Sequence, residues 1–447
     1  MAPWLLRSCP ARRVWRRWLS GDAVSPGRRT IGDPVRVFVV AGEPSGDVIG
    51  GRLVAAMREL WPDSLRLSGI GGSCMEREGV KSIFEMDDLA VMGVTELLPH
   101  LITLSRRLHQ AVDAAVRFDP HIIVTIDSKG FSFRFLRKIK DFCAKSKVPG
   151  PFCVHYVCPS FWAWKGGEEK LRNLSGVVDH LLCILPFEEG ICKSSGLNAS
   201  FVGHPVLDDA FDLAGKSADF NVIQSKWMIH GNGQKFRQDH NLPSESPVIT
   251  VLPGSRAQEL HKMLPIYGSA LKHLSRSLPG LAAIIPTVPN RTLTGIIDMA
   301  VRDWGLPVVV VPGASLEDKY NSFAASDAAL VTSGTAVMQL QMCRVPCVVA
   351  YRANIFTEWI IKQRTVLKYV SLPNILLDSP AVPEALFSSC KPDRLACLLE
   401  NILEDPVAAR EDQAKAAESV LHMIQPPEAL QSPSRTAARI VLAALEP

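Results

Sequence analysis

Four short stretches of this chain carry the residue types from which a group-transfer site could be assembled. In "VFVVAGEPSGDVIGGRLVAAMREL", residues 37 to 60, the small-residue turn Ala41-Gly42-Glu43-Pro44-Ser45-Gly46-Asp47 lies between a β-branched run and a helical pattern marked by Leu53, Met57 and Leu60. Backbone N–H groups in such a turn are available to an anion or to the hydroxyls of a ligand. In "VTIDSKGFSF", Asp127 closes an otherwise apolar run and leaves one carboxylate at its end. "VLPGSRAQEL" supplies Gly254, Ser255 and Arg256, and "VTSGTAVMQL" supplies Ser333, Gly334 and Thr335. Each of these last two reads as strand, turn and helix, which aims free N–H groups and a helix amino end at one spot. Arg256 adds a planar cationic fork suited to phosphate oxygens. There is neither a Walker lysine motif nor a G-x-G-x-x-G, so the expectation is a nucleotide diphosphate gripped at its phosphates and not hydrolysed there. The chain also contains no D-x-D, so Arg256 and helix dipoles must stabilise a leaving diphosphate, and no metal is implied. The competing reading of any one turn is a plain helix cap, with Ser45 or Asp47 capping the first helix. Two anion turns with Arg256 favour a site, because convergent polar groups in a cleft are its usual sign.

The elements that must position these residues follow from apolar periodicity. Strand-like runs occupy 36 to 41, 65 to 70, 121 to 126, 152 to 158 and 180 to 185, then 247 to 252, 281 to 286, 307 to 311, 327 to 331 and 346 to 351, with helical stretches between them. Strands alternating with helices predict parallel sheets with right-handed crossovers. The expected fold class is therefore α/β, with two doubly wound Rossmann-like domains. Ligands of open parallel sheets collect at the carboxyl ends of the strands, so the expected active site is the cleft between the domains. The boundaries read as a first domain over 34–215, a polar linker with an insertion over 216–245, a second domain over 246–425 and a terminal helix over 426–447.

Composition sets the remaining bounds. A chain of 447 residues is too long for one ordinary core, and 47% hydrophobic with 21% charged residues is a globular balance. The formal net charge of +4 comes from residues 1 to 30, where Arg7, Arg12, Arg13, Arg16, Arg17, Arg28 and Arg29 face Asp22 alone. An Arg-rich, acid-poor leader with interleaved Trp and Leu predicts an organelle transit peptide, mitochondrial in type, over residues 1–33, against a basic arm for nucleic acid or membrane. No nucleic-acid partner is expected. The eleven cysteines sit at irregular spacings without a C-x-x-C pair, so neither a disulfide framework nor a zinc site is expected. His155 and His204 read as core histidines. Trp162 and Trp164 could line an acyl groove or fill a core. "LAVMGVTELLPHLITLSRRLHQAV", residues 89 to 112, has two readings: a surface for acyl chains with Arg106 and Arg107 near lipid phosphates, or an amphipathic helix with Leu101, Leu104, Leu108 and Val112 inward.

The chain resembles the lipid-A-disaccharide synthases, inverting glycosyltransferases of the GT-B fold. The residues that carry the resemblance are "AGEPSGD", "GIGG", "LAVMGVTELL", "HYVCPSFWAWK", "LPFE", "FVGHP", "LPGSR", "SDAALVTSGTA", "VAYR" and "YVSLPN", in that order over residues 36 to about 400. The resemblance implies condensation of UDP-2,3-diacylglucosamine with 2,3-diacylglucosamine 1-phosphate, without a cofactor, at a membrane surface, and leaves the oligomeric state open. It implies that Asp127 is the base for the acceptor's 6-hydroxyl and that Arg256 faces the departing diphosphate. Gly254, Ser255, Ser333, Gly334, Thr335 and Gln339 would hold the UDP-sugar, and Ser45, Gly46, Asp47 and Trp164 the acceptor.

Two departures from the family pattern stand out. Asp127 is followed by Ser128-Lys129-Gly130-Phe131-Ser132 where the family has Ala-Pro-Asp-Phe-Asn, and Gln339 stands where a glutamate is usual, so weaker UDP binding is expected. An epimerase-like enzyme of UDP-N-acetylglucosamine and an inactive lipid- or UDP-binding protein on the same scaffold are the alternatives.

Overall fold

In the computed structural model, which describes residues 34–61, 65–86, 89, 97–214, 221–428 and 430–445, the apolar runs form two parallel sheets. The leader, most of "LAVMGVTELL" and the start of the insertion lie outside the described residues. The chain divides into two compact units, one reaching to Trp162 and adding Gly166–Val202 and the stretch from Ser434 onward, the other made of Ala163–Lys165 and Gly203–Pro433.

The first unit holds β1 (Val35–Ala41), β2 (Leu65–Ile70), β3 (Lys81–Ser82), β4 (Ile122–Ile126), β5 (Phe152–Tyr156), β6 (His180–Cys183) and β7 (Ala199–Phe201) in the order β3-β2-β1-β4-β5-β6-β7. All neighbours are parallel, and Val37 pairs with Leu67 on one side and Ile122 on the other. Successive strand residues face opposite sides. Phe38, Val40 and Ile123 enter one core, while Val37, Val39, Ile122 and Val124 enter another. Burial on both faces is why these strands read as unbroken apolar runs.

The second core is closed by the helix Pro433–Ala443, which brings Ala437, Ala438, Val441 and Leu442 back against β1 and β4 residues. Arg435 reinforces the return with an ion pair to Glu59 at 2.8 Å. The terminal helix therefore belongs to the first unit, and the crossing between units falls at Val202 and Gly203, earlier than residue 215.

The second unit holds β10 (Val248–Leu252), β11 (Ala282–Pro286), β12 (Val308–Val311), β13 (Ala328–Val331), β14 (Cys347–Tyr351) and β15 (Glu384–Leu386) in the order β12-β11-β10-β13-β14-β15, again parallel throughout. Its start corrects the linker expectation for residues from 221 on. β8 (Asn221–Ile223) and β9 (Met228–His230) form an antiparallel hairpin, the helix Gly233–Asp239 follows, and Trp227 is 2% exposed. Arg237 ties this segment down through the carbonyls of Pro243, Ser244, Ser246 and Ala325 and the Asp327 carboxylate at 3.0 Å. Trp227, Ile229 and Phe236 are too few and too irregular to give a periodic signal, although they are buried.

Within the helix Leu97–Phe118, Leu104, Leu108 and Val112 face the first unit's core, as the amphipathic reading requires, and Arg106 is exposed. Among the described residues no helix is long and apolar enough to cross a membrane.

Candidate active site

In each sheet the strand order reverses direction at one place, between β1 and β4 in the first unit and between β10 and β13 in the second. There the crossovers diverge to opposite faces and leave a crevice at the carboxyl edge, the usual ligand position of an open parallel sheet. All four chemically promising turns leave these four strands.

In the first unit, β4 ends at Ile126 and the chain passes through two left-handed residues, Asp127 at φ 47° and Ser128 at φ 45°, before the helix Lys129–Ser146. Such a conformation costs a non-glycine residue about 1–2 kcal/mol. It is maintained from both sides of the peptide: the Asp127 N–H donates to the Tyr156 carbonyl at 2.9 Å, and the Ser132 hydroxyl donates to the Asp127 carbonyl at 2.8 Å. The half-buried Asp127 side chain is thereby directed by a fixed backbone at the sheet edge.

The β1 turn packs directly on this one. A Cβ at Gly42 would lie 2.5 Å from the Ser128 hydroxyl, so no larger residue fits without moving the Asp127 turn. Ser45 is exposed in the first turn of the helix Pro44–Leu60, and Gly46 is buried against Ile126.

Asp47 has a different task from either sequence reading. It is 4% exposed, and its carboxylate accepts from the backbone N–H groups of Gly72 at 2.8 Å, Cys74 at 2.9 Å and Met75 at 3.0 Å. It caps the helix Ser73–Arg77 and not its own, which joins the β1 and β2 turns.

In the second unit, β10 and β13 pair in parallel with Leu252 beside Val331. Thr332 bridges their ends, donating its N–H to the Leu252 carbonyl at 3.0 Å. Arg256 begins the helix Ala257–Ser277, and Gly334 begins the helix Thr335–Met342 with no side chain capping it. Two helix amino ends thus leave adjacent strands on the same edge, with Ser255, Arg256, Gly334 and Thr335 exposed there. This is the geometry an anion with several oxygens requires.

Two carboxylates the sequence reading missed arrange these turns. Glu259 accepts the Ser255 N–H at 3.0 Å, pairs with Arg256 at 3.6 Å and fills the space beside Gly254, whose φ of 114° is open to glycine. An acid three residues after a helix cap was the available signal. Glu384 accepts from the Ser371 N–H at 2.9 Å, the Ser371 hydroxyl at 2.6 Å and the Asn374 amide at 2.9 Å. Ser333 donates its hydroxyl to the Val370 carbonyl of the same loop at 3.0 Å. Glu384 has no local signal, being a lone acid in a three-residue strand.

Gln339 lies 9% exposed inside the second unit. Its amide nitrogen donates to Asp209 at 2.8 Å, and its oxygen accepts from Lys319 at 3.2 Å, while the Tyr320 hydroxyl donates to the same Asp209 oxygen at 2.9 Å. Both ends of the amide therefore have a partner within the protein. A glutamate here would set two buried carboxylates against each other. Gln339→Glu is expected to lower the unfolding free energy at pH 7 by about 1–3 kcal/mol. Adding Asp209→Asn should recover most of that loss in denaturant unfolding, and no recovery would mean that the two groups do not couple.

Both histidines behave as core residues. His155 is fully buried with its Nδ1 2.8 Å from the Thr125 hydroxyl, and burial pushes it down to about 3. His204 accepts the Val206 N–H at 3.2 Å through Nδ1; burial pushes it down to about 4, opposed by the Asp209 charge. A depressed histidine stabilises the fold above its unfolded value and loses that contribution as pH falls toward its folded value. For His204 the loss should reach about 2 kcal/mol at pH 5. His204→Asn keeps an acceptor for Val206 and should flatten the decline in unfolding free energy between pH 6.5 and pH 4.

The two tryptophans divide between the units. Trp162 packs on the first core and donates its indole N–H to Glu188 at 2.9 Å. Trp164 forms an antiparallel bridge with Thr365 in the second unit and is 36% exposed.

Comparison with known proteins gives a consistent result. A family model described as lipid-A-disaccharide synthetase matches residues 37–438. The chain is 46% identical over 404 residues to the probable mitochondrial lipid-A-disaccharide synthase of Arabidopsis thaliana, covering 90% of this chain and 86% of that protein. It is 39% identical over 409 residues to the lipid-A-disaccharide synthase of Rhodospirillum centenum, covering 92% and 94%. Among solved structures, it is similar to UDP-GlcNAc 2-epimerase from Neisseria meningitidis bound to UDP-GlcNAc, with TM-score 0.59, 12% identity and 92% and 99% of the chains covered. It is also similar to the calicheamicin glycosyltransferase CalG4, with TM-score 0.51, 13% identity and 93% and 100% covered. These last two likenesses establish the two-sheet fold alone.

Proposed function

Because the chain belongs to the lipid-A-disaccharide synthase family, we propose that it transfers a 2,3-diacylglucosaminyl group from UDP to the 6-hydroxyl of 2,3-diacylglucosamine 1-phosphate. Asp127 takes the proton of that hydroxyl as the oxygen attacks the anomeric carbon from the face opposite the leaving group. The bond to the diphosphate breaks, its electron pair passes to the β-phosphate oxygen, and UDP departs. Arg256 and the N–H groups of the Gly334-Thr335 turn stabilise the charge as it develops. Ser45 and Trp164 line the acceptor side.

The observation that carries this reading is that Asp127 and Arg256 each stand on the turn leaving the switch point of their own sheet. We place the protein in mitochondria, at a membrane surface. The Arg-rich composition of residues 1 to 30 and the name of the Arabidopsis relative support the first placement, and the lipid nature of both substrates supports the second.

The test is direct. Protein lacking residues 1 to 30 is incubated with both lipid sugars and a chelator, and the disaccharide phosphate is followed by mass. Product formation dependent on both lipids supports the reaction. UDP-sugar binding without product would sink it, and release of an epimerised UDP-sugar without acceptor would replace it with the epimerase reading.

A further inference from the structure

Cys158, Cys183 and Cys192 are scattered in the sequence, and no spacing rule unites them. The fold brings them together. Cys158 follows β5, Cys183 ends β6 and Cys192 lies on the helix Glu188–Ser194, and their sulfur atoms all fall within 4.8 Å of one another. The Cys158 and Cys192 sulfurs are 3.5 Å apart. Each residue is at most 4% exposed, in the apolar core of the first unit. Other buried cysteines such as Cys153 and Cys347 are part of no such group among the described residues, so small apolar bulk alone does not account for three sulfurs meeting at one point.

We propose that this thiol triad is a site for one soft d10 cation, Cu(I), bound by three sulfurs. Thiolates select soft ions and reject hard ones such as magnesium and calcium. An ion at an ordinary metal–sulfur distance of about 2.3 Å is shared by three sulfurs roughly 4 Å apart, which is the spacing this group offers. The neighbouring carboxylate supplies no fourth ligand: one Glu188 oxygen accepts from the Ile184 and Leu185 N–H groups, and the other accepts from the Trp162 indole. Structural zinc sites are nearly always four-coordinate, so three sulfurs in a closed apolar pocket favour Cu(I) over zinc. Binding changes no oxidation state. Each thiol that becomes a ligand releases its proton to water, so uptake weakens as pH falls.

The site is joined to the base. Val157 donates to the Leu182 carbonyl at 3.1 Å, and Tyr156 accepts the Asp127 N–H at 2.9 Å, so an ion on Cys158 fastens the strand end that holds Asp127.

The full chain is loaded anaerobically with one equivalent of Cu(I) and challenged with a chromophoric Cu(I) chelator. The parent and the exposed-site control Cys397→Ser should retain the ion. Cys158→Ser and Cys192→Ser should bind it at least about 100-fold more weakly, beyond the effect of losing an outer-shell partner. Retained circular dichroism separates ligand loss from unfolding. X-ray absorption at the copper edge of the loaded parent, which needs no variant, should report three sulfur neighbours. Equal stripping of parent and variants, nitrogen or oxygen neighbours, or tight retention of Zn(II) in place of Cu(I) would each overturn the assignment.

Discussion

Asp127→Asn should lower turnover by about a hundred- to ten-thousand-fold, the range expected when a positioned general base is removed. Asparagine is the right replacement because of the backbone. It tolerates the left-handed conformation that Asp127 adopts at φ 47°, whereas alanine would strain the turn and confuse a chemical loss with a structural one. It also keeps the side-chain oxygen while abolishing the carboxylate's basicity. The Tyr156 and Ser132 hydrogen bonds are to the main chain of residue 127 and survive the change. Unfolding temperature and the KM for the UDP-sugar should therefore move little while kcat collapses. A variant retaining a tenth or more of parental turnover would place the base elsewhere.

Arg256→Ala is expected to cost about a hundred- to a thousand-fold in kcat, as removal of one donor to a developing negative charge does. The Arg256 side chain is 60% exposed, paired with Glu259 at 3.6 Å, so its loss leaves the core intact. Arg256→Lys should fall between parent and alanine variant, since it keeps the charge and loses the planar fork. Inhibition by UDP separates the outcomes. An arginine acting mainly on the leaving group affects kcat more than UDP affinity. Equal losses in both would mean that it serves ground-state binding.

Much of this was legible because parallel strands buried on both faces leave uninterrupted Val, Ile and Leu runs, and glycine-rich turns punctuate their ends. β1, β4, β10 and β13 and the turns after them followed from that pattern. What escaped was what depends on contacts between distant positions. Asp47 reads locally as a cap for its own helix, yet it bonds to Gly72, Cys74 and Met75. Nothing near Gln339 in sequence announces its bonds to Asp209 and Lys319. The return of the last helix to the first unit, too, has no compositional marker in the sequence.

That return has a consequence for biogenesis. The wall formed by Ala437, Ala438, Val441 and Leu442 is the last part of the first unit to leave the ribosome. Roughly 230 residues separate Val202 from Ser434, and at about 5–20 residues per second the nascent first unit waits on the order of 10–50 s with part of its core uncovered. Throughout that interval the chain presents a hydrophobic face to holding chaperones. Truncation just before Ser434 would make that exposure permanent, turning the polypeptide into a substrate for quality-control proteases.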